Sequence, residues 1–481
     1  MAKNTRRNFL KNGAAVASGV SFSILRASTK RTGIRIEEVE HSYEEYLYRT
    51  PNKFAGTVVD RATIMTVRCT IRTKDGKVAK GFGSMPLGNV WSFPSKKMSY
   101  AGTLSAMKAL AQEIAKITGS YKEFDHPLDI NWALNPVYLK AAADVSERLH
   151  LPDPIPKLCT LVTASPFDAA VHDAFGKVHG LNCYHTYGPE FMKHDLSHYL
   201  GAAYKREYPS TYIQQEPKPR MPLYHLVSAI DPIEDSDVVR RVDDGLPETL
   251  AEWINYNGLT HFKIKLNGDD AKWDVERVLH VDKVSAQTQQ KRGVQSWFYA
   301  LDFNERCPNV DYLLQFLRQV NEESAACYQR IRYVEQPTAR DLKAHPENKM
   351  QVAAKLRPIV IDESLTDVEA LLLSRTMGYT GASIKASKGQ SQMLIVTSVA
   401  EKEKMFLCGG DMSCPGAALI QSASLPAHVP RVSAIEANAR QYMPAANKAW
   451  ESQFPGMFRI TDGTIHTGEL NGPGLGPSEA S

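Results

Sequence analysis

The chain has 481 residues, 43% hydrophobic and 23% charged, with a formal net charge of +4, the make-up of a soluble globular protein of two or three domains. The charge is uneven: residues 1–32 hold Lys3, Arg6, Arg7, Lys11, Arg26, Lys30 and Arg31 and no acidic residue, so the body carries −3, which excludes a basic nucleic-acid surface. Past the N-terminus no apolar run is long enough to span a membrane, and seven cysteines without a Cys-x-x-Cys pair exclude a zinc finger and a disulfide framework.

Thr5-Arg-Arg-Asn-Phe-Leu-Lys11, followed by the weakly apolar stretch Gly13 to Leu25, resembles a twin-arginine export signal. Residues 1–32 therefore stand outside the fold, and a periplasmic address is expected, or a cytoplasmic one if the signal is not used. The segment 33–200 reads as an α+β unit. Residues 57–71 are rich in β-branched types, Lys74-Asp-Gly-Lys77 is a hairpin turn, and Val78 to Ser84 returns as the second strand. Residues 101–117, 137–149 and 165–177 follow as helices, by apolar spacing of three and four. The stretches Tyr46–Phe54 and Met85–Phe93 read as loops able to shape a substrate site.

From residue 221 to 440 the rhythm changes. Short apolar runs recur at Pro222–Ile230, His261–Leu266, Ser296–Asn304, Ile331–Glu335, Pro358–Asp362, Ala382–Ala386, Met405–Leu407 and Val432–Glu436, separated by amphipathic stretches such as Ala271–Thr288 and Val310–Ser324. Strands alternating with helices indicate a parallel barrel, and no Gly-rich loop follows the first strand, as a doubly wound open sheet would require. Residues 441–481, rich in Gly and Pro near their end, are expected to run back over the first domain.

Five consecutive strands of this barrel end in charge: Lys263 and Lys265, then Asp302, Glu335, Asp362 and Lys385. In a parallel barrel such ends meet at one mouth. Strand alternation puts Lys263 and Lys265 on one face, where each should make the other harder to protonate. Three carboxylates from successive strands suit a hard cation, Mg²⁺ above all, with Mn²⁺ as the alternative. Glu363 stands either behind Asp362 or in its place as ligand. Lys388 falls in the loop after the sixth strand. The second and sixth strands lie across the barrel, so Lys265 and Lys385 should face opposite sides of whatever binds between them.

The ordered set Lys263-Ile-Lys265, Asp302-Phe-Asn304, Val334-Glu-Gln-Pro337, Asp362-Glu-Ser364 and Ile384-Lys-Ala-Ser-Lys388-Gly389, with Phe167 to Lys177 leading into the barrel, resembles the enolase superfamily, in the group of muconate lactonizing enzyme and the dipeptide epimerases. The resemblance implies a modified TIM barrel, (β/α)7β, with an N-terminal α+β capping domain. It implies Lys265 and Lys385 as an acid/base pair, Asp302, Glu335 and Asp362 as Mg²⁺ ligands, and Lys263 as an electrostatic neighbour. The shared chemistry is removal of a proton α to a carboxylate, giving an enediolate, and family members are often homo-oligomers.

The sequence departs from its relatives in places. No histidine follows the seventh strand, which argues against an acid-sugar dehydratase. The Asp-x-Asp of dipeptide epimerases after strand eight is Glu436-Ala-Asn438 here, and Asp411 is the acidic group after strand seven. Arg49 is a candidate grip for a distal anion. The expected partner is a small-molecule carboxylate, and the expected reaction is racemisation or epimerisation. The alternative is cycloisomerisation or syn elimination through the same enediolate. A third reading, an exported non-catalytic binding protein, predicts a missing ligand or lysine, and none is missing.

Overall fold

The computed structural model describes residues 32–476; the twin-arginine-type segment, apart from Thr32, and the last five residues lie outside them. The N-terminal unit is an antiparallel sheet in the order β1-β2-β3, with β1 at Ile34–Phe54, β2 at Thr57–Thr73 and β3 at Val78–Pro86. The β2–β3 hairpin turns at Asp75-Gly76, where Gly76 takes φ +90°, as the sequence indicates.

Strand β1 does not stand out in the sequence. Its core-side residues Ile34 and Ile36 give way to Glu38, Glu40, Glu44 and Glu45, which point to solvent. The expected loop Tyr46–Phe54 is instead the end of this strand, paired with β2 across a register shift between Leu47 and Asn52. Such a bulge re-aims side chains near a strand end, and it turns Tyr48, Asn52 and Phe54 toward the barrel mouth.

Three long helices, Tyr100–Ser120, Pro127–Arg148 and Lys157–His179, cover the sheet. Two of them begin well before the expected starts because each carries an internal proline, Pro136 and Pro166. Proline removes a backbone hydrogen bond and normally marks a boundary. At Pro166 the carbonyl four residues back, Val162, instead accepts from the Ser165 hydroxyl at 2.9 Å. Strand β3 lies so close on this helix that a Cβ at Gly83 would sit 1.8 Å from the Pro166 carbonyl oxygen. The Gly-x-Gly of β3 is therefore a packing requirement.

The second unit is a closed barrel of eight parallel strands among the described residues. They are β4 (Met221–Val227), β5 (His261–Lys265), β6 (Phe298–Asp302), β7 (Ile331–Glu335), β8 (Ile359–Ile361), β9 (Gly381–Ile384), β10 (Phe406–Gly409) and β11 (Ile435–Glu436). Each pairs with the next, and β11 closes on β4. Alternation divides β5 cleanly: Phe262 and Ile264 join the apolar layer under the helices, while Lys263 and Lys265 face inward. Tyr224, Ala300, Tyr333, Val360, Cys408 and Ala434 fill the barrel interior. Helices follow most strands, but between β7 and β8 the connection is only the short 3₁₀ turn Ala353–Lys355.

The two units are joined by hydrogen bonds as well as by packing. Asp168 accepts from the backbone N–H and the hydroxyl of Ser391, both at 2.7 Å, at the start of the helix Gln390–Lys402. His172 is bonded at both ring nitrogens, to Ser391 Oγ at 2.7 Å and to the Tyr187 hydroxyl at 2.9 Å. Gln421 exchanges hydrogen bonds with the β3 backbone at Phe82 and Ser84. A last strand, β12 (Thr464–Ile465), pairs antiparallel with β4, and the following chain returns to the first unit, where Leu475 N–H donates to Asp173 at 2.8 Å. All seven cysteines are buried and unbridged. No helix among the described residues is long and apolar enough to cross a membrane.

Candidate active site at the barrel mouth

The strand register assembles the charged ends. Lys265 pairs with Asp302 and Asp302 with Glu335, while Glu335 pairs with Val360, so that Asp362 follows just past the end of β8. Going round the closed barrel, β5 and β9 are four strands apart in either direction. Lys265 and Lys385 thus enter from diametrically opposite walls.

Every one of these side chains is buried, and they meet as ion pairs. Lys263 Nζ donates to Glu335 Oε1 at 2.9 Å and Glu436 Oε1 at 2.8 Å, and lies 3.0 Å from Asp302 Oδ2. Lys265 donates to Asp302 Oδ2 at 2.5 Å and Asn304 Oδ1 at 2.8 Å. Lys385 donates to Asp362 Oδ2 at 2.6 Å and Lys388 to Asp362 Oδ1 at 3.0 Å. Drawn onto these amines, Asp302, Glu335 and Asp362 do not bring three oxygens within 4.8 Å of one another.

Burial and neighbouring charge set the protonation of these groups. Burial works to discharge Lys263, but Asp302, Glu335, Glu436 and Asp362 overcome it and raise the amine well above its ordinary value. That reverses the expectation that the Lys-x-Lys pair depresses itself: carboxylates at 3 Å outweigh one like charge farther along the strand. Lys385 is raised by Asp362 and Glu335, again against burial. Lys388 is lowered, with burial the main cause. Asp302 resists burial and is held down at about 2 by Lys263 and Lys265. Glu335 goes the other way: burial, then Asp302 and Asp362, push its carboxyl well up despite Lys263. Glu363 is pushed up to about 7 by burial and by Asp362, Glu305 and Asp302.

The donor set fits a divalent cation on two counts. Glu335 Oε2 and Glu363 Oε2 are buried with no hydrogen-bond partner, a costly state for a carboxylate oxygen. Six carboxyl groups (Asp302, Glu335, Asp362, Glu363, Asp411 and Glu436) also stand among only four buried lysines, and two of them, Glu335 and Glu363, are pushed toward the protonated form, which a dication beside them would reverse.

The remaining expected residues divide into those at the mouth and one that is elsewhere. Asn304, in the left-handed region at φ 43°, donates from Nδ2 to Glu363 Oε1 at 2.9 Å. Glu363 thereby sits behind Asp362. Asp411 accepts from the backbone of Met412, Cys414 and Asn438 and so shapes the loops over the mouth. Glu436 is shared between Lys263 and the Asn438 side-chain amide, 3.2 Å away. Arg49 is the correction. Its guanidinium is paired with Asp244 and the Leu246 carbonyl and lines a separate small cavity with His225 and Asp231. Arg49 falls within the β1 register shift between Leu47 and Asn52 and grips a loop of its own chain.

Other contributors are not conspicuous in the sequence. Trp91, in the short helix Asn89–Ser92, donates its indole N–H to Glu363 Oε1 at 3.0 Å, and its ring lies 4.6 Å from Lys385 Nζ. Gln336, strained at φ 31°, accepts from the Asp362 and Ser364 N–H groups; its place between Glu335 and Pro337 is the only signal. The cavity itself, about 90 Å³, lies under the first unit and is walled by Tyr48, Phe54, Trp91, Tyr100, Leu226 and Met412. Lys263, Lys265 and Lys385 reach it from below, and Arg61 stands at its edge.

Residues 245–479 match the family model described as Enolase C-terminal domain-like. Similar solved structures include muconate lactonizing enzyme from Pseudomonas fluorescens complexed with muconolactone (17% identity, 93% of this chain and 97% of that one, TM-score 0.58). Others are the L-Ala-D/L-Glu epimerase from Bacillus subtilis in a substrate-liganded complex (19%, 92% and 98%, 0.58) and a dipeptide epimerase from Enterococcus faecalis complexed with Mg and the dipeptide L-Leu-L-Tyr (16%, 92% and 99%, 0.56). At these identities the likeness is one of fold. No curated protein sequence matches the chain.

Proposed function

We propose, from the match of its barrel to the Enolase C-terminal domain-like family, that this chain is an enolase-superfamily enzyme, a Mg²⁺-dependent racemase or epimerase acting at the α-carbon of a carboxylate. The observation that carries the proposal is the pair Lys265 and Lys385, on opposite barrel strands and lining one cavity. A base on one face and an acid on the other permit inversion at a carbon held between them.

Asp302, Glu335 and Asp362 are the residues that would hold the cation. When bound, it supplies a Lewis acid for the substrate carboxylate and a counter-charge as the α-proton leaves. The lysines now occupy the same carboxylate oxygens. A cation that took those oxygens would leave the Lys265 and Lys385 amines facing the cavity without their carboxylate partners, each placed to take or return a proton at a carbon held between them. Lys263, deep among Asp302, Glu335 and Glu436, keeps a fixed positive charge beneath the reacting group. Lys388 holds Asp362 in place from behind. The aromatic and apolar walls exclude water around the reacting carbon and suit a carboxylate with an apolar body. Glu436 is already engaged by Lys263, which leaves little for a substrate ammonium and disfavours a dipeptide.

A second reading, cycloisomerisation or syn elimination with one lysine cycling the proton, is favoured by an asymmetry. Lys385 lies over the Trp91 ring and Lys265 is 5.9 Å from that of Phe54, so Lys385 is the amine better held as a cation. One experiment separates the readings. The protein is incubated with Mg²⁺ and a panel of carboxylates in D₂O, and α-protons are followed by NMR. Exchange with inversion supports the racemase or epimerase, and exchange with retention or loss of a leaving group supports the second reading. Absence of exchange with any acid, unchanged by Lys265→Ala, would sink both.

A further inference from the structure

Away from the barrel mouth, three potential metal donors converge on the first unit. Asp129 is the third residue of the helix Pro127–Arg148. His194 precedes, and His198 lies within, the short helix Ser197–Leu200 of the stretch that leads to the barrel. One ligand atom from each lies within 4.8 Å of the other two, the only such group of three acidic, histidine or cysteine donors among the described residues. His194 Nδ1 is 3.0 Å from Asp129 Oδ1, an oxygen that also accepts from the Tyr199 hydroxyl. Asp129 is 8% exposed, and its second oxygen, Oδ2, is buried without a hydrogen-bond partner. A carboxylate that turns one oxygen to two donors and leaves the other bare lacks a partner, most simply a cation.

We propose that Asp129, His194 and His198 form a second metal site, distinct from the barrel mouth, that takes a borderline transition dication of the Zn²⁺ class. Two imidazoles and one carboxylate are the donors of such ions, whereas Mg²⁺ prefers an all-oxygen shell. Three protein ligands leave a fourth position for water. The two histidine rings are stacked, 4.1 Å apart and 13° from parallel. Coordination asks the exposed His198 to turn out of that stack, so that its ring nitrogen converges with an Asp129 carboxylate oxygen and the His194 ring nitrogen. The bound ion would tie the N-terminus of a capping helix to the stretch joining the two units. It stands or falls independently of the reaction proposed for the barrel.

The test uses the full chain stripped of metal and held in millimolar Mg²⁺, titrated calorimetrically with Zn²⁺ and, in parallel, with Co²⁺ followed by its visible absorption. The expected result is one Zn²⁺ equivalent that Mg²⁺ does not displace, and a Co²⁺ band of four-coordinate nitrogen and oxygen ligation. His198→Ala and Asp129→Asn each weaken that equivalent at least tenfold, while Glu335→Gln at the barrel mouth leaves it unchanged. His198 is exposed, so its variant decides the matter if Asp129→Asn fails to fold. Wild-type affinity in His198→Ala, loss of the equivalent in Glu335→Gln alone, or no Zn²⁺ retained against Mg²⁺ would overturn the site.

Discussion

Two buried polar networks in this molecule, one at the joint between the units and one at the barrel mouth, end in opposite states. At the joint between the units, Asp168, His172, Tyr187, Gln390 and Ser391 satisfy one another, and none of them carries an orphaned polar atom. At the barrel mouth, acids outnumber lysines, and Glu335 Oε2, Glu363 Oε2 and Asn438 Oδ1 are buried without partners. A satisfied network fixes a geometry. An unsatisfied one stores the capacity to bind something that completes it. The joint reads as architecture and the mouth as chemistry, although both are equally deep.

The contrast is sharpest if each network is damaged in turn. Lys265→Met at the mouth should lower α-proton exchange by about 10³-fold, the scale of a lost general base, with little change in unfolding temperature; NMR exchange and calorimetry read the two arms. Chelation of divalent ions should silence exchange reversibly, with activity restored on adding Mg²⁺, and activity that survives chelation would remove the mouth from the argument. Ser391→Ala at the joint should do the reverse. It leaves Asp168 and His172 each short of a bond, costs about 1–3 kcal/mol in denaturant titrations, and leaves the exchange rate per folded molecule unchanged.

A pH titration extends the comparison. Burial pushes the Asp173 carboxyl, at the joint, up to about 6 against the pull of Lys177. The native state therefore keeps a proton that the unfolded chain releases from about pH 4 upward. Its contribution to stability is complete below that pH and is lost as pH rises through 6. The stability of wild type relative to Asp173→Asn should thus fall by about 2 kcal/mol between pH 4 and 7, as followed by urea unfolding. The smallest effect is expected from Trp91→Phe, which keeps a ring beside Lys385 but removes the N–H from Glu363. It should cost less than about tenfold in kcat, and a larger loss would mean that the indole N–H orders the whole mouth.

Much of this arrangement was readable before the structure. The eight barrel strands announced themselves because each is a short apolar run closed by a charge or a turn, and their order alone put Lys265 opposite Lys385. Strand β1 was hidden by its glutamates, since an edge strand with one face in water carries a diluted apolar signal. The starts of two helices were hidden by Pro136 and Pro166, where a serine hydroxyl or local packing made good what the ring removed. Arg49 pairs with Asp244 from within a register shift of β1, and no local pattern encodes that shift. The collapse of lysines onto acids, which turned the expected pKa of Lys263 around, depends on distances of about 3 Å between residues far apart in sequence. So does the placing of Trp91 over Lys385.

The helix Gln390–Lys402 has no cap from its own chain neighbours; Asp168, from the other unit, accepts its leading N–H. Were the two halves to swing apart like a clamshell, that helix would lose its terminal acceptor, just after the loop in which Lys388 holds Asp362. That contact fastens the cover over the pocket to the barrel beneath it. The end of the β1–β2 ribbon and the single turn bearing Trp91 are the parts of that cover that line the pocket itself.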